Sequence, residues 1–243
     1  MENNTLKSSV GMGQKIAFGF GMLANQMFPA ALGVFIIVLV QDLGFAALLW
    51  GIIQFAPRIF DAITDPLMGF ISDNTKSKWG RRRQYVFVGG ILMGLAYVAM
   101  WQLYEDDGII YNFIYFFSWS LVFYLGLTIF SVPYVAMGYE ISDDFHERTQ
   151  IMAIAQFIGQ WAWVIAPWFW VILYDPDWFP DGAGQGVRDL SIWVAIPCTI
   201  FAIIPAIFIK SKSTLNRKDF LPVNSSYISK SIKGIFISAF EAF

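Results

Sequence analysis

The sequence predicts an all-α membrane protein of six transmembrane helices, and three observations carry that reading. Of 243 residues, 57% are hydrophobic and 18% aromatic, while 14% are charged, against about a quarter in a soluble domain. Six apolar runs of about 18 residues or more follow one another, each long enough to cross a hydrocarbon core of about 30 Å. They are Ile16–Val40, Ala46–Gly69, Tyr85–Leu103, Ile109–Met137, Ile151–Tyr174 and Leu190–Ile209. Lysine and arginine are sorted between alternate connections, as the positive-inside rule requires of a multi-pass protein.

The sorting gives an orientation. Lys7 and Lys15 precede the first run, Lys76, Lys78, Arg81, Arg82 and Arg83 follow the second, and Arg148 follows the fourth. Lys210, Lys212, Arg217, Lys218, Lys230 and Lys233 follow the sixth, whereas the three other connections together hold Arg188 alone. Both termini are therefore expected in the cytoplasm of a plasma (inner) membrane protein. The first run is too long, and its polar leader too acidic at Glu2, for a cleavable signal peptide, so the first span is expected to stay. One cysteine, Cys198, and one histidine, His146, exclude an internal disulfide and a zinc-type centre.

In the first span Phe18, Met22, Asn25, Gln26, Pro29 and Gly33 share a stripe expected to face the bundle interior, where the two amides either contact a solute or bond neighbouring helices. The second span carries Arg58, Asp61 and Asp65 on one stripe. With the helix ending near Ser72, a rise of about 1.5 Å per residue puts Asp65 roughly 10 Å and Asp61 roughly 16 Å from the cytoplasmic end. An aspartate at such depth costs about 2.5–3.5 kcal/mol on insertion scales. A pair between Arg58 and Asp61 would still leave one carboxylate over, so a bound cation, Na⁺ or a proton, is the expected balance.

Beyond this helix, Gly69, Asp73, Gly80 and Arg81 to Arg83 suggest close backbone approach and a breakable charge network that latches one conformation, beyond simply fixing topology. Asp143, Asp144 and Glu147 lie on the same side and are candidate partners for it. Glycines in the third span read as helix packing. In the fourth, Tyr124, Thr128 and Ser131 share a stripe loosened by Gly126 and Pro133, with Thr128 and Ser131 either oxygen ligands or bonded to their own backbone. The fifth presents Met152, Gln156, Gln160, Trp163 and Pro167, a polar and aromatic face suited to a hydroxylated solute or to interhelical hydrogen bonds. A long connection, Asp175–Asp189, is expected before the sixth span, and Ser229–Phe243 reads as a basic amphipathic helix.

The series Arg58, Asp61, Asp65, Pro66, Gly69, Asp73, Ser77, Trp79, Gly80 and Arg81 resembles the signature of the glycoside-pentoside-hexuronide:cation symporters, the melibiose-permease-like branch of the major facilitator superfamily. Lys15 with Phe18–Gly21, Pro133 and Glu147–Thr149 extend the likeness over all six spans. The resemblance implies that residues 1–210 form the N-terminal six-helix bundle of a transporter with about twelve spans, and that 211–243 lead to a C-terminal half outside this chain, making the sequence a part of a longer protein. It also implies Asp61, Asp65 and Thr128 as cation ligands, and places the family's sugar-binding acids at Gln26, with Asn25 before it, and at Ser131, and its arginine at Gln156. The charges of that sugar site are absent here, which weakens recognition of sugar hydroxyls.

The expected activity is therefore secondary transport of a sugar or related hydroxylated solute coupled to Na⁺ or H⁺. The solute is expected on Asn25, Gln26, Ser131, Gln156 and Gln160, and gating on Gly69, Asp73, Gly80, Arg81 and Arg148. The rival readings are a carrier of another organic or amphiphilic solute and a non-transporting partner. No nucleophile–base pairing or metal motif supports an enzyme, and neither cofactor nor nucleic acid is expected.

Overall fold

The computed structural model describes residues 10–209 and Thr214, and within them the chain is helical almost throughout. Six long helices follow in order: α1 (Met12–Gln41), α2 (Ala47–Asp73), α3 (Arg83–Met100), α4 (Ile109–Glu140), α5 (Phe145–Leu173) and α6 (Ala183–Phe208). Five of them, all but α2, are both long and apolar enough to cross a membrane. With 27 residues α2 has the length, but it carries Arg58, Asp61 and Asp65 in its interior. The segment Ser229–Phe243 and the cationic residues after Ile209 lie outside the described residues.

The helices are centred on α1, which runs between α5 and α6, while α3 packs on α4 and α6, and α2 lies chiefly against α4. Lipid is as apolar as leucine, so helices associate here through close fit and hydrogen bonds rather than through the exclusion of water. The tightest fit is between α3 and α4, where a Cβ on Gly89 would stand 2.5 Å from the Phe130 nitrogen, and one on Gly126 would stand 2.8 Å from that of Met93. Only glycine permits backbones to meet at those distances. Gly126 thus serves contact between helices, where the sequence suggested a loosened helix.

Above that crossing an aromatic cluster fills the space between α1, α3 and α4. Phe28 meets Tyr97 edge-on at 5.0 Å between ring centroids, and Trp101 meets Phe35 at 5.5 Å and Phe116 at 5.0 Å. Edge-to-face pairs of this kind add about 0.5–1.5 kcal/mol each beyond area burial. The Tyr134 hydroxyl donates to the Phe18 carbonyl across α4 and α1, so its polar tip is matched inside the bundle.

Two expectations about element placement change. The connection read as Asp175–Asp189 is shorter, because α6 already begins at Ala183. Its first turns are pinned by Arg188, which donates to the Leu103 carbonyl at 2.7 Å and lies 4.6 Å from the centre of the Tyr104 ring. The α1 stripe also does not stay inside: Phe18 and Met22 are buried, Asn25 and Gln26 are half-buried, and Gly33 is exposed. Gly33 shares the angular sector of Met22 and Gln26, so its exposure reflects what packs beside α1 at that height rather than the phase of the helix.

Candidate cation and substrate site

The second helix owes its place to α4, and the contact is polar at mid-height. Thr128 on α4 donates to Asp65 Oδ1 at 2.8 Å, and its hydroxyl lies 3.4 Å from that of Thr64 on α2. Thr64 in turn donates to the Phe60 carbonyl, one turn back, at 3.1 Å. One turn before Asp65, the Asp61 Oδ1 atom is buried and has no hydrogen-bond partner. The pair between Arg58 and Asp61 that the sequence allowed is not formed, since none of the ion pairs among the described residues includes either side chain. Arg58 is exposed, as is Asp65, whereas Thr128 is buried.

Two carboxylates with one hydroxyl between α2 and α4 therefore form an oxygen-rich cluster with an unmatched buried acceptor. Its donors are carboxylate and hydroxyl oxygens, the ligands of hard cations, and no group of three or more His, Cys, Asp and Glu side chains gathers among the described residues. An Na⁺ ion fits that donor set, and so does a proton shared by a carboxylate. Pro66 adds to it, because a proline leaves the carbonyl one turn earlier, that of Ala62, without its helical donor. Sequence spacing did not single out Thr64, although its position three residues from Asp61 puts it on the same helical face.

The residues expected to meet solute fall into two groups. Gln26 Oε1 on α1 accepts from the Trp163 indole at 2.9 Å and from Gln160 Nε2 at 3.5 Å, both on α5. This brings Gln26 and Gln160 together and adds Trp163, which the sequence placed on the polar and aromatic face of α5. Gly159 makes the approach possible, since a Cβ there would stand 2.6 Å from Met22 and 2.9 Å from the Gln26 amide. Asn25 instead turns to its own helix, donating to Met22 Sδ at 3.9 Å. Ser131 is half-buried and Gln156 exposed, and neither joins the Gln26 array.

Of the residues expected to gate, Asp73, Gly80 and Arg81 lie together at the basic end of the bundle. Arg82, buried, pairs with Asp73 and with Glu140 Oε2 at 3.1 Å and donates to the Ala136 carbonyl at 2.6 Å. Arg81 pairs with Glu140 and reaches the Asp73 carbonyl at 3.3 Å. Gly80 makes the turn into these arginines with φ of 92°, a conformation that L side chains rarely adopt. Gly69 plays no comparable part here, because a Cβ on it would meet Val132 at an ordinary 3.8 Å.

Besides Asp73, the acid that pairs with the basic turn is Glu140, at the end of α4. Asp144 caps α5 by accepting from the Glu147 nitrogen at 2.9 Å. Glu147 is bound to Ser142, the Val10 nitrogen and Lys15. Arg148 lies half-buried in the first turn of α5. Arg83, unremarked in the sequence beyond its charge, donates to the Ala206 and Ile207 carbonyls at 2.6 and 3.0 Å, closing the open end of α6.

Comparison with known proteins agrees with this architecture. A family model described as MFS/sugar transport protein matches residues 17–227. An uncharacterized symporter of Synechocystis is 33% identical over 143 residues, which cover 56% of this chain and 26% of the relative. The lactose permease of Leuconostoc lactis is 27% identical over 242 residues, 92% of this chain and 37% of the relative. The sodium-dependent lysophosphatidylcholine symporter 1 of Xenopus tropicalis is 30% identical over 148 residues, 58% of this chain and 27% of the relative. The chain spans about a quarter to just over a third of the length of these relatives.

Proposed function

The chain belongs to the MFS/sugar transport protein family, whose members are transporters rather than enzymes, and from that premise we propose that it is the N-terminal bundle of a cation-coupled symporter for a sugar or related hydroxylated solute. On this reading α2 crosses the membrane with the other five helices, the N-terminus is cytoplasmic in a plasma (inner) membrane, and a C-terminal six-helix half completes the solute path. The observation that carries the proposal is the cluster between α2 and α4: Asp65 bonded to Thr128, beside the buried, unpartnered Asp61 oxygen. A buried acceptor in a membrane helix is costly unless matched, and an entering Na⁺ or proton matches it. Solute then binds better to the cation-loaded form, which is what coupling requires.

The Gln26–Gln160–Trp163 array is the proposed solute face. It is neutral, with an indole and two amides where a carboxylate would otherwise accept sugar hydroxyls, and the surrounding surface of α5 exposes Trp161, Val164 and Trp168. That composition favours a second reading, an amphiphilic solute, as in the lysophosphatidylcholine symporter among the relatives.

The test is uptake into vesicles by the protein expressed from its full reading frame, across labelled sugars and a lysophospholipid, with Na⁺, Li⁺ or pH gradients imposed, and Asp61→Asn and Asp65→Asn alongside. Accumulation that needs one cation and is lost in both variants supports the symporter and identifies its ion. Accumulation that survives both substitutions would remove the cluster from the mechanism.

A further inference from the structure

The cleft between α5 and α6 is separate from the cation cluster and from the Gln26 array. Both helices lie along α1 and scarcely touch each other, leaving a cavity of about 560 Å³. Leu23 and Met27 of α1 form its floor, with Ile165 and Phe169 on one wall and Val194 and Cys198 on the other. That volume lies within the range of about 300–1,000 Å³ typical of sites for one organic molecule. Along α6 the cleft runs from Asp189 to Phe201, roughly 18 Å at about 1.5 Å per residue. A single leaflet of a core about 30 Å thick has nearly that depth. α1, α5 and α6 are three of the helices long and apolar enough to cross a membrane, which sets the cleft between α5 and α6 at the depth of the hydrocarbon core.

Its mouth has a different chemistry. Asp189 stands there with Trp178 and Trp193, and the two indoles are 61% and 72% exposed. The Asp189 carboxylate makes no hydrogen bond or ion pair with any described residue. The adjoining connection adds Asp175, Asp177 and Asp181. Its nearest cation in sequence, Arg188, is turned to Leu103 and Tyr104. The mouth therefore has negative charge to spare and two aromatic faces, which attract an ammonium group and repel an anionic one.

We propose that the cleft between α5 and α6 holds one acyl chain of a bilayer phospholipid, with the ammonium group of its head on Asp189 between Trp178 and Trp193. The long apolar floor selects a hydrocarbon tail, and the mouth selects choline or ethanolamine heads over glycerol or serine ones. The site is a resting place for a structural lipid beside the transport path, and it stands whether or not the proposed symport is correct.

The test is photo-crosslinking of the full chain in nanodiscs with diazirine-tailed phosphatidylcholine and, separately, phosphatidylglycerol, with labelled positions mapped by mass spectrometry. Labelling is expected to concentrate on the cleft residues of α5 and α6, about fivefold stronger for phosphatidylcholine. Unlabelled phosphatidylcholine should displace it. Asp189→Asn should bring the two lipids to near-equal labelling while leaving the tail positions unchanged, and Val194→Trp, which fills the cleft, should remove the label from it. Label spread evenly over all lipid-facing helices, or equal labelling by the two lipids in the unmodified protein, would overturn the proposal. So would copies of the chain crosslinking to each other through the cleft in place of lipid.

Discussion

The basic end of the bundle and its middle treat charge in opposite ways. At the end, charge meets opposite charge: Arg82 has Asp73, Glu140 and the Ala136 carbonyl, with only its Nε lacking an acceptor, Arg81 has Glu140, and Lys15 has Glu147. In the middle, Asp61 has an oxygen without a donor and Asp65 has one threonine hydroxyl. The matched network ties α2, α3 and α4 together through contacts within the protein, so it favours the conformation seen here. The unmatched one is incomplete without something from outside. A device that changes state on binding an ion needs both kinds of region: one that holds a conformation and one whose energy the ion alters.

The sharpest way to break that contrast is to neutralise the middle. Asp61→Asn and Asp65→Asn should each reduce cation-driven accumulation to the leak level while leaving the protein in the membrane and its thermal unfolding within a few degrees of the parent. Stability should hold because an amide is cheaper than a carboxylate at that depth. A variant that accumulates solute normally, measured as initial uptake under the same gradient, would place the coupling ion elsewhere.

Next in size are changes to the fit that supports both regions. Gly89→Ala sets a methyl against the Phe130 backbone nitrogen at 2.5 Å, and backbone cannot swing aside as a side chain can. Overpacking of this kind costs about 1–3 kcal/mol. Gly69→Ala, with 3.8 Å to Val132, should be close to neutral for folding in the same thermal scan. The pair separates glycines required by packing in this conformation from those that are not.

Arg82→Lys probes the matched end. Lysine keeps the charge but cannot span Asp73, Glu140 and Ala136 with a planar fork. Asp73 and Glu140 remain about half exposed to solvent, so water screens much of the loss, and the effect on stability should be about 1 kcal/mol. Transport should respond more than stability does, because the contact belongs to one conformation, and access of a thiol reagent to a cysteine placed on the Gln26 face would report the shift.

The reading from sequence went furthest where one residue's chemistry is costly enough to need an explanation. Asp61 and Asp65 stand out inside an apolar helix, and the glycines of α3 stand out by their density. Glu140 and Thr64 did not stand out, for different reasons. Glu140 sits in a run of acids, and which of them reaches the arginines depends on where α4 ends, a boundary set by tertiary contacts. Thr64 is an ordinary hydroxyl until α4 brings Thr128 beside it. The exposure of Gly33 likewise depends on which neighbour packs beside α1 at that height, which short-range spacing does not resolve.

Thr64 and Thr128 give the finest test of the contrast, since they lie at the border between the matched and the unmatched. Thr128→Val removes the one donor to Asp65, and a hydrogen bond to a charged group contributes about 1.5–3 kcal/mol. Lost from the empty state, that bond frees Asp65; lost from the cation-bound state, it takes away an oxygen ligand. The two effects oppose each other, and the ligand loss is the larger if Thr128 coordinates the ion, so half-saturation for the cation should rise several-fold. Thr64→Val should raise it by less than about twofold, because its hydroxyl is already satisfied by Phe60 and reaches Thr128 only at 3.4 Å. Titrating uptake against cation concentration in both variants distinguishes the cases. A fall in half-saturation for Thr128→Val would mean that this threonine competes with the ion for Asp65, as part of the resting protein's own matching of charge.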